Sequence, residues 1–199
     1  MTASAPRLSA VNTPTRFVEV KGRRLAYREL GQGIPLILCL RFRGVLDSWD
    51  PAFLDALAVH HRVITFDYSG LGQSTGAPSY VRTRLAQDAL DQADALGLER
   101  FVIGGWSLGG IAAQVLTRLH PERVLKTILI GTTPPGKVRL GAQPVFFERA
   151  LKPVNDLDDE TVLFFHPPSE SLAPPPWRHT SASPSAPRTA ARRFPSRRS

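Results

Sequence analysis

The chain has 199 residues, 42% of them hydrophobic, one cysteine and a formal net charge of +8, enough for one domain with a real core. It holds no apolar run of membrane-spanning length, residues 1–12 lack the apolar segment of a secretory signal, and the lone Cys39 excludes an intramolecular disulfide, so a cytoplasmic protein is expected. The charge points to nucleic acid only until it is located: from Pro167 onward six arginines stand against one acid, Glu170, which gives +5 there and leaves about +3 for the other 166 residues.

Residues 1–15 are small, polar and proline-containing, and read as a flexible N-terminus. Arg16 to Val20 and Arg24 to Leu30 read as a hairpin turning at Lys21-Gly22. After the turn Gly31-Gln32-Gly33, the continuous apolar run Ile34 to Leu40 suits a strand buried on both faces, with Cys39 as a structural thiol inside it. Asp50-Pro51 caps a helix with Phe53, Leu54 and Leu57 on one face. Arg62 to Phe66 is a buried strand ending at Asp67, followed by the glycine-rich loop Gly70 to Gly76. Arg84 to Leu96 is a helix, its inward face Leu85, Ala89, Leu90, Ala93 and Leu96, stopped by Gly97. The strand Phe101-Val102-Ile103 leads through Gly105-Trp106-Ser107-Leu108-Gly109 into a helix that Pro121 ends near His120, and Val124 to Ile130 is one more strand. Strands alternating with helices predict an α/β fold: a mostly parallel sheet with helices on both faces and the hairpin as its antiparallel edge. After Gly131 the pattern weakens to one or two helices around an acidic segment (Asp156, Asp158, Asp159, Glu160). The Pro/Ser/Ala/Arg composition of 167–199 cannot bury a core and predicts disorder.

The serine at the apex of the strand–turn–helix carries the chemistry. A serine on so sharp a turn takes up strained backbone angles, and the flanking glycines let strand and helix approach without a Cβ between them. Its hydroxyl then stands clear of the sheet, and the Leu108 N–H at the helix start can donate to a developing oxyanion.

With these segments in order, residues 16–166 resemble the α/β-hydrolase fold superfamily. Arg62 to Ser74 resembles its fourth strand and D-x-x-G-x-G-x-S loop, Phe101 to Gly110 its fifth strand and nucleophile elbow, and His120 to Gly131 the entry to its sixth strand. The resemblance implies an incomplete core over 16–133 and a partial cap over 134–166. It implies Ser107 as nucleophile and Leu108 as one oxyanion donor. The second donor would come from the loop after the third strand, where the family's H-G-x-x-G is here Leu40-Arg41-Phe42-Arg43-Gly44, so that Phe42 N–H takes the role. Arg41 or Arg43 would supply positive charge directly, although an exposed loop residue is the plainer reading of either. Trp106 would line an acyl pocket, or simply pack beneath the cap.

A serine nucleophile needs a base and an acid to orient it, which this family supplies after later strands. His60 and His61 precede a strand, His120 ends a helix, His166 ends the cap segment and His179 lies in the tail. Asp67 belongs to a loop motif with a structural task, and Thr132 and Thr133 stand where some relatives place the acid. The triad is therefore incomplete. The abrupt change near residue 167 is what GC-rich DNA encodes in a wrong frame, which points to a frame error that replaced the last strands and the catalytic His. The rival is a natural basic tail, whose lack of lysine and scarcity of aromatics argue against nucleic-acid binding. The expectation is a serine hydrolase of a small ester, lactone or related acyl compound, with no cofactor, no metal and no membrane partner. A cofactor-free peroxidase or C–C hydrolase would use the same serine. The alternative is a catalytically inactive remnant, or a binding protein.

Overall fold

A computed structural model describes residues 9–136, 141 and 143–164, so the tail expected to be disordered lies outside the described residues. The described residues up to 136 form one compact unit. Its elements are β1 (Arg16–Val20), β2 (Arg23–Leu30), β3 (Ile34–Cys39), α1 (Pro51–Ala58), β4 (His61–Phe66), α2 (Arg82–Ala95), β5 (Phe101–Trp106), α3 (Leu108–Leu119) and β6 (Val124–Ile130). A second unit holds α4 (Pro144–Ala150) and α5 (Leu157–Phe164), the two helices of the weakly patterned stretch.

The six strands form one sheet in the order β1-β2-β4-β3-β5-β6. β1–β2 and β2–β4 pair antiparallel, while β4, β3, β5 and β6 run parallel, as the alternation of elements predicts. The step from β3 to β4 moves one way along the sheet and those from β4 to β5 and β5 to β6 move the other way. Right-handed crossovers then place α1 on one face and α2 and α3 together on the opposite face. β3 lies in the middle with a neighbour on each side, and Leu36, Ile37, Leu38 and Cys39 are all fully buried, which is why its run is apolar without alternation. Burial pushes the Cys39 thiol up to about 12, against a hydrogen bond with Tyr68, which makes it an inert core residue.

Asp50 caps α1 as its sequence predicts: a side-chain oxygen accepts from Phe53 N at 3.0 Å, and Pro51 opens the first turn. α2 starts two residues before the expected Arg84, because the Val81 carbonyl already accepts from the Arg84 and Leu85 amides. Its burial also goes beyond the expected apolar face, taking in Asp88, Asp91 and Gln92. The first two are matched: Arg23 donates to both, Lys21 donates to Asp91 at 2.7 Å, and the Ser69 amide donates to Asp88 at 2.8 Å. This charge cluster ties the hairpin and the loop after β4 to α2. At the other edge, among the described residues, β6 pairs only with β5 and leaves Leu125, Ile128 and Leu129 exposed. No helix of the described residues is long and apolar enough to cross a membrane.

Candidate active site

Ser107 links the end of β5 to the first residue of α3 with φ 54° and ψ −118°, backbone angles that a side-chain-bearing residue adopts at a cost of about 1–3 kcal/mol. Such a conformation persists only if its surroundings over-determine it. Here the Ser107 amide donates to the Ile130 carbonyl at 2.9 Å, and its own carbonyl accepts from Gly110 N at 2.9 Å and from the Thr132 hydroxyl at 2.6 Å. The end of β6 therefore grips the serine on both of its peptide groups.

The glycines act through space rather than through flexibility. A Cβ on Gly105 would run into the backbone of Gly109 and Gly110, and one on Gly109 would stand 2.5 Å from the Cys39 carbonyl carbon and 2.6 Å from Leu40 O. Strand β5 can therefore touch the start of α3, and α3 can touch the end of β3. The Thr132 side chain packs against Gly110 from the other side. The result is a half-buried serine at a helix N-terminus, with no described residue hydrogen-bonded to its hydroxyl. Leu108 is the first helical residue, so its N–H has no intrahelical partner and faces the positive end of the helix dipole.

The close contact of Gly109 with Leu40 brings the loop after β3 alongside this helix start. Gly44 N donates to Arg41 O at 3.0 Å, closing a tight turn that puts Arg43 at φ 56°, a position that normally selects glycine. The Arg41 guanidinium carbon lies 5.4 Å from the centre of the Trp106 ring, and Arg41 Nη1 donates to the Phe42 carbonyl at 3.1 Å. The Phe42 ring meets Tyr80 at 4.6 Å, with the Arg43 guanidinium 5.7 Å from Phe42. Burial raises the Tyr80 hydroxyl, and the Arg43 charge opposes that shift. Trp106 also packs at 6.0 Å against Trp49.

Ser107, Leu108, Trp106 and Arg41 are thus gathered at one end of the sheet, with Phe42 in the same loop. Two further members were not read from sequence. Tyr80 sits in a loop with no motif, and no sequence signal marks it. Thr132 stands where some relatives place the acid, and its hydroxyl holds the serine carbonyl.

The described histidines are elsewhere. Leu36 pairs with both Val63 and Val102, so His61 lies two residues below that level and Ser107 five above it. Seven residues of strand separate them by about 23 Å. His120 ends α3 at the far side of its 12 residues, about 18 Å along the helix axis. It faces Glu122 at 3.5 Å and is partly exposed. Asp67 is buried and structural: its carboxylate accepts from Leu46 N and Gln73 N, both at 2.8 Å. Burial raises its carboxyl and those two amides oppose the rise. Asp156, Asp158 and Asp159 cluster in the second unit, where Arg149 and Lys152 donate to Asp159 at 2.7 and 2.6 Å.

A cavity of about 150 Å³ beside α1 is lined by Thr13, Arg28, Leu46, Trp49 and Thr65, and none of its lining residues belongs to the serine turn. The turn is the better candidate, because there a serine on strained backbone and an orphan helix amide meet.

A family model described as alpha/beta hydrolase fold matches residues 34–157. A proline iminopeptidase, PfmaB, of Pestalotiopsis fici is 34% identical over 143 residues, which is 68% of this chain and 50% of that protein. The dihydrolipoyllysine-residue acetyltransferase component of the acetoin cleaving system of Cupriavidus necator is 36% identical over 152 residues, 71% of this chain and 40% of that protein. Among solved structures, an alpha/beta hydrolase fold protein from Chitinophaga pinensis superposes with a TM-score of 0.64 at 34% identity, covering 71% of this chain and 50% of that one. The chain thus spans about half the length of the relatives it matches, or less.

Proposed function

The chain belongs to the alpha/beta hydrolase fold family, and from that premise we propose that it is a serine hydrolase of small acyl substrates (esters, lactones or related compounds) with Ser107 as nucleophile. The observation that carries this reading is the serine held at φ 54° between β5 and α3, its hydroxyl unengaged by any described residue. Residues 16–133 form the core in this reading, 134–166 a partial cap, and the setting is cytoplasmic.

Ser107 Oγ attacks the acyl carbonyl carbon, and the electron pair of the C=O moves onto oxygen. That oxygen is received by the Leu108 N–H, with the Phe42 N–H as second donor, in a site where each such donor is worth about 10²–10³ in rate. Collapse of the intermediate expels the alcohol and leaves an acyl-serine, which water cleaves. Trp106 and Arg41 line the substrate side. Among the described residues none is placed to take the Ser107 proton, since His60, His61 and His120 stand at the opposite end of the sheet, so turnover in this reading requires a base that accepts the proton and returns it to the leaving alcohol.

That same distance favours a second reading, in which the chain binds acyl compounds without turning them over. Hydrolysis of p-nitrophenyl acetate by wild type and Ser107→Ala separates the two. A wild-type rate above buffer that is lost in Ser107→Ala supports the hydrolase. A folded wild type no faster than Ser107→Ala leaves the binding reading.

A further inference from the structure

We propose that the cavity beside α1 is a binding site for a small uncharged carbonyl compound, of the size of a single six-membered ring, whose oxygen is received by Thr65 and Arg28. The cavity shares no lining residue with the serine turn, so the site stands or falls independently of Ser107.

The register of the sheet builds its floor. β2 and β4 pair antiparallel, with Arg28 opposite Thr65 and Leu30 opposite Val63. Residues directly opposite each other project from the same face, and residues two apart along a strand share that face. Arg28, Leu30 and Thr65 therefore stand together, and all three line the cavity. Leu54 of α1 and Trp49 just before it close an apolar wall over them. The segment before β1 makes the remaining wall, fastened to α1 by the Ala10 amide, which donates to Asp55 at 2.7 Å. Sheet and helix faces ordinarily interdigitate with few voids larger than a water molecule. Here about 150 Å³ stays open, a volume that accommodates a benzene-sized ring.

The polar groups then decide the ligand. Thr65 is only 1% exposed, and no described residue is hydrogen-bonded to its hydroxyl. A buried hydroxyl in that state costs stability until something in the cavity completes it. Arg28 beside it donates through Nε to Thr15 at 3.1 Å and through Nη1 to Asp47 at 2.7 Å, which leaves Nη2 without a partner among the described residues. A hydroxyl proton and a guanidinium N–H on paired residues match the two lone pairs of one carbonyl oxygen. Charge argues against an anion. Arg28 is already paired with Asp47 and also bears on the buried Asp67 carboxyl, so a ligand carboxylate would bring a third acid to one cation. A cation fares no better, because Asp47, the acid in the lining, is taken by Arg28. An uncharged ring carrying a carbonyl satisfies the hydroxyl and fills the apolar space.

The probe is cyclohexanone, titrated into the full chain carrying Ser107→Ala, so that addition to the serine plays no part. Binding is followed by the methyl resonances of Leu30, Leu54 and Thr65. These should shift and saturate with a dissociation constant on the order of 1 mM, an ordinary value for a ligand of about seven non-hydrogen atoms. Thr65→Val keeps the shape and removes the hydroxyl, and should weaken binding about tenfold, read from the leucine signals. Cyclohexanecarboxylate should bind at least about tenfold more weakly than the ketone. Ala10→Leu, which fills the space from the opposite wall, should abolish the shifts. Amide spectra of each variant show that it is folded. No saturable shift at these methyl groups, undiminished binding in Thr65→Val or Ala10→Leu, or a carboxylate that binds as tightly as the ketone overturns the inference and leaves a cavity that takes water only.

Discussion

Gly109→Ala is the sharpest perturbation the serine turn allows. The new methyl group would stand 2.6 Å from Leu40 O and 2.5 Å from the Cys39 carbonyl carbon, where ordinary contact begins at 3.4 Å. The Cys39 carbonyl oxygen is nearer still, so relief requires α3 to retreat from β3 by about 1 Å, and the opposing atoms are central-strand backbone that cannot turn aside. Overpacking of this kind costs about 1–3 kcal/mol of stability. The retreat carries Leu108 N–H and Ser107 with it, and a displacement near 1 Å at reacting groups costs about 10²-fold in rate. Urea unfolding reads the first effect, and the rate of Ser107 modification by a fluorophosphonate reads the second. If Gly109→Ala unfolds at the wild-type urea midpoint and reacts at the wild-type rate, the close approach of α3 to β3 is not what positions the serine.

Thr132→Val removes the 2.6 Å hydrogen bond to the Ser107 carbonyl and should lower stability by about 1 kcal/mol and slow the fluorophosphonate reaction, while Thr132→Ser keeps both near wild type. Arg23→Gln strips the buried Asp88 and Asp91 of a shared partner and should cost about 3 kcal/mol in urea unfolding. For Asp91, burial favours the neutral acid, but hydrogen bonds from Lys21, Gln87 and Arg23 outweigh it and hold the carboxyl below its ordinary value. A depressed folded-state value means that the contribution is complete above the unfolded value near 3.9 and is lost as the pH falls below it. The stability gap between wild type and Asp91→Asn should therefore be constant above about pH 5 and shrink towards pH 3. Cys39, fully buried and with its thiol pushed up to about 12, should resist Ellman's reagent in the native protein and react only after unfolding.

Much of this architecture was legible because local and global signals agree. The run Leu36-Ile37-Leu38-Cys39 is apolar for the same reason that it is central, and Asp50-Pro51 marks a helix start that the structure uses as written. The serine turn was legible because its glycines answer a contact that admits no side chain. What stayed hidden depends on partners distant in sequence. Asp88 and Asp91 lie outside the apolar face that the sequence marks on α2, and their burial is matched by Arg23 and Lys21, which arrive from the hairpin some 65–70 residues earlier. Thr132 carries no motif; its role follows from β6 ending beside β5 in the sheet. The tilt of Arg41 onto Trp106 likewise depends on a turn in which Arg43, against its preference, takes a left-handed conformation.

The most direct measurement of the central claim is mass-spectrometric mapping of the chain after exposure to a fluorophosphonate. A single adduct on the peptide containing Ser107, absent from Ser107→Ala and from heat-unfolded protein, is the result predicted for a serine activated by its place between β5 and α3. Folded protein that carries no adduct, or carries it on another residue, would contradict the assignment of Ser107 as the nucleophile.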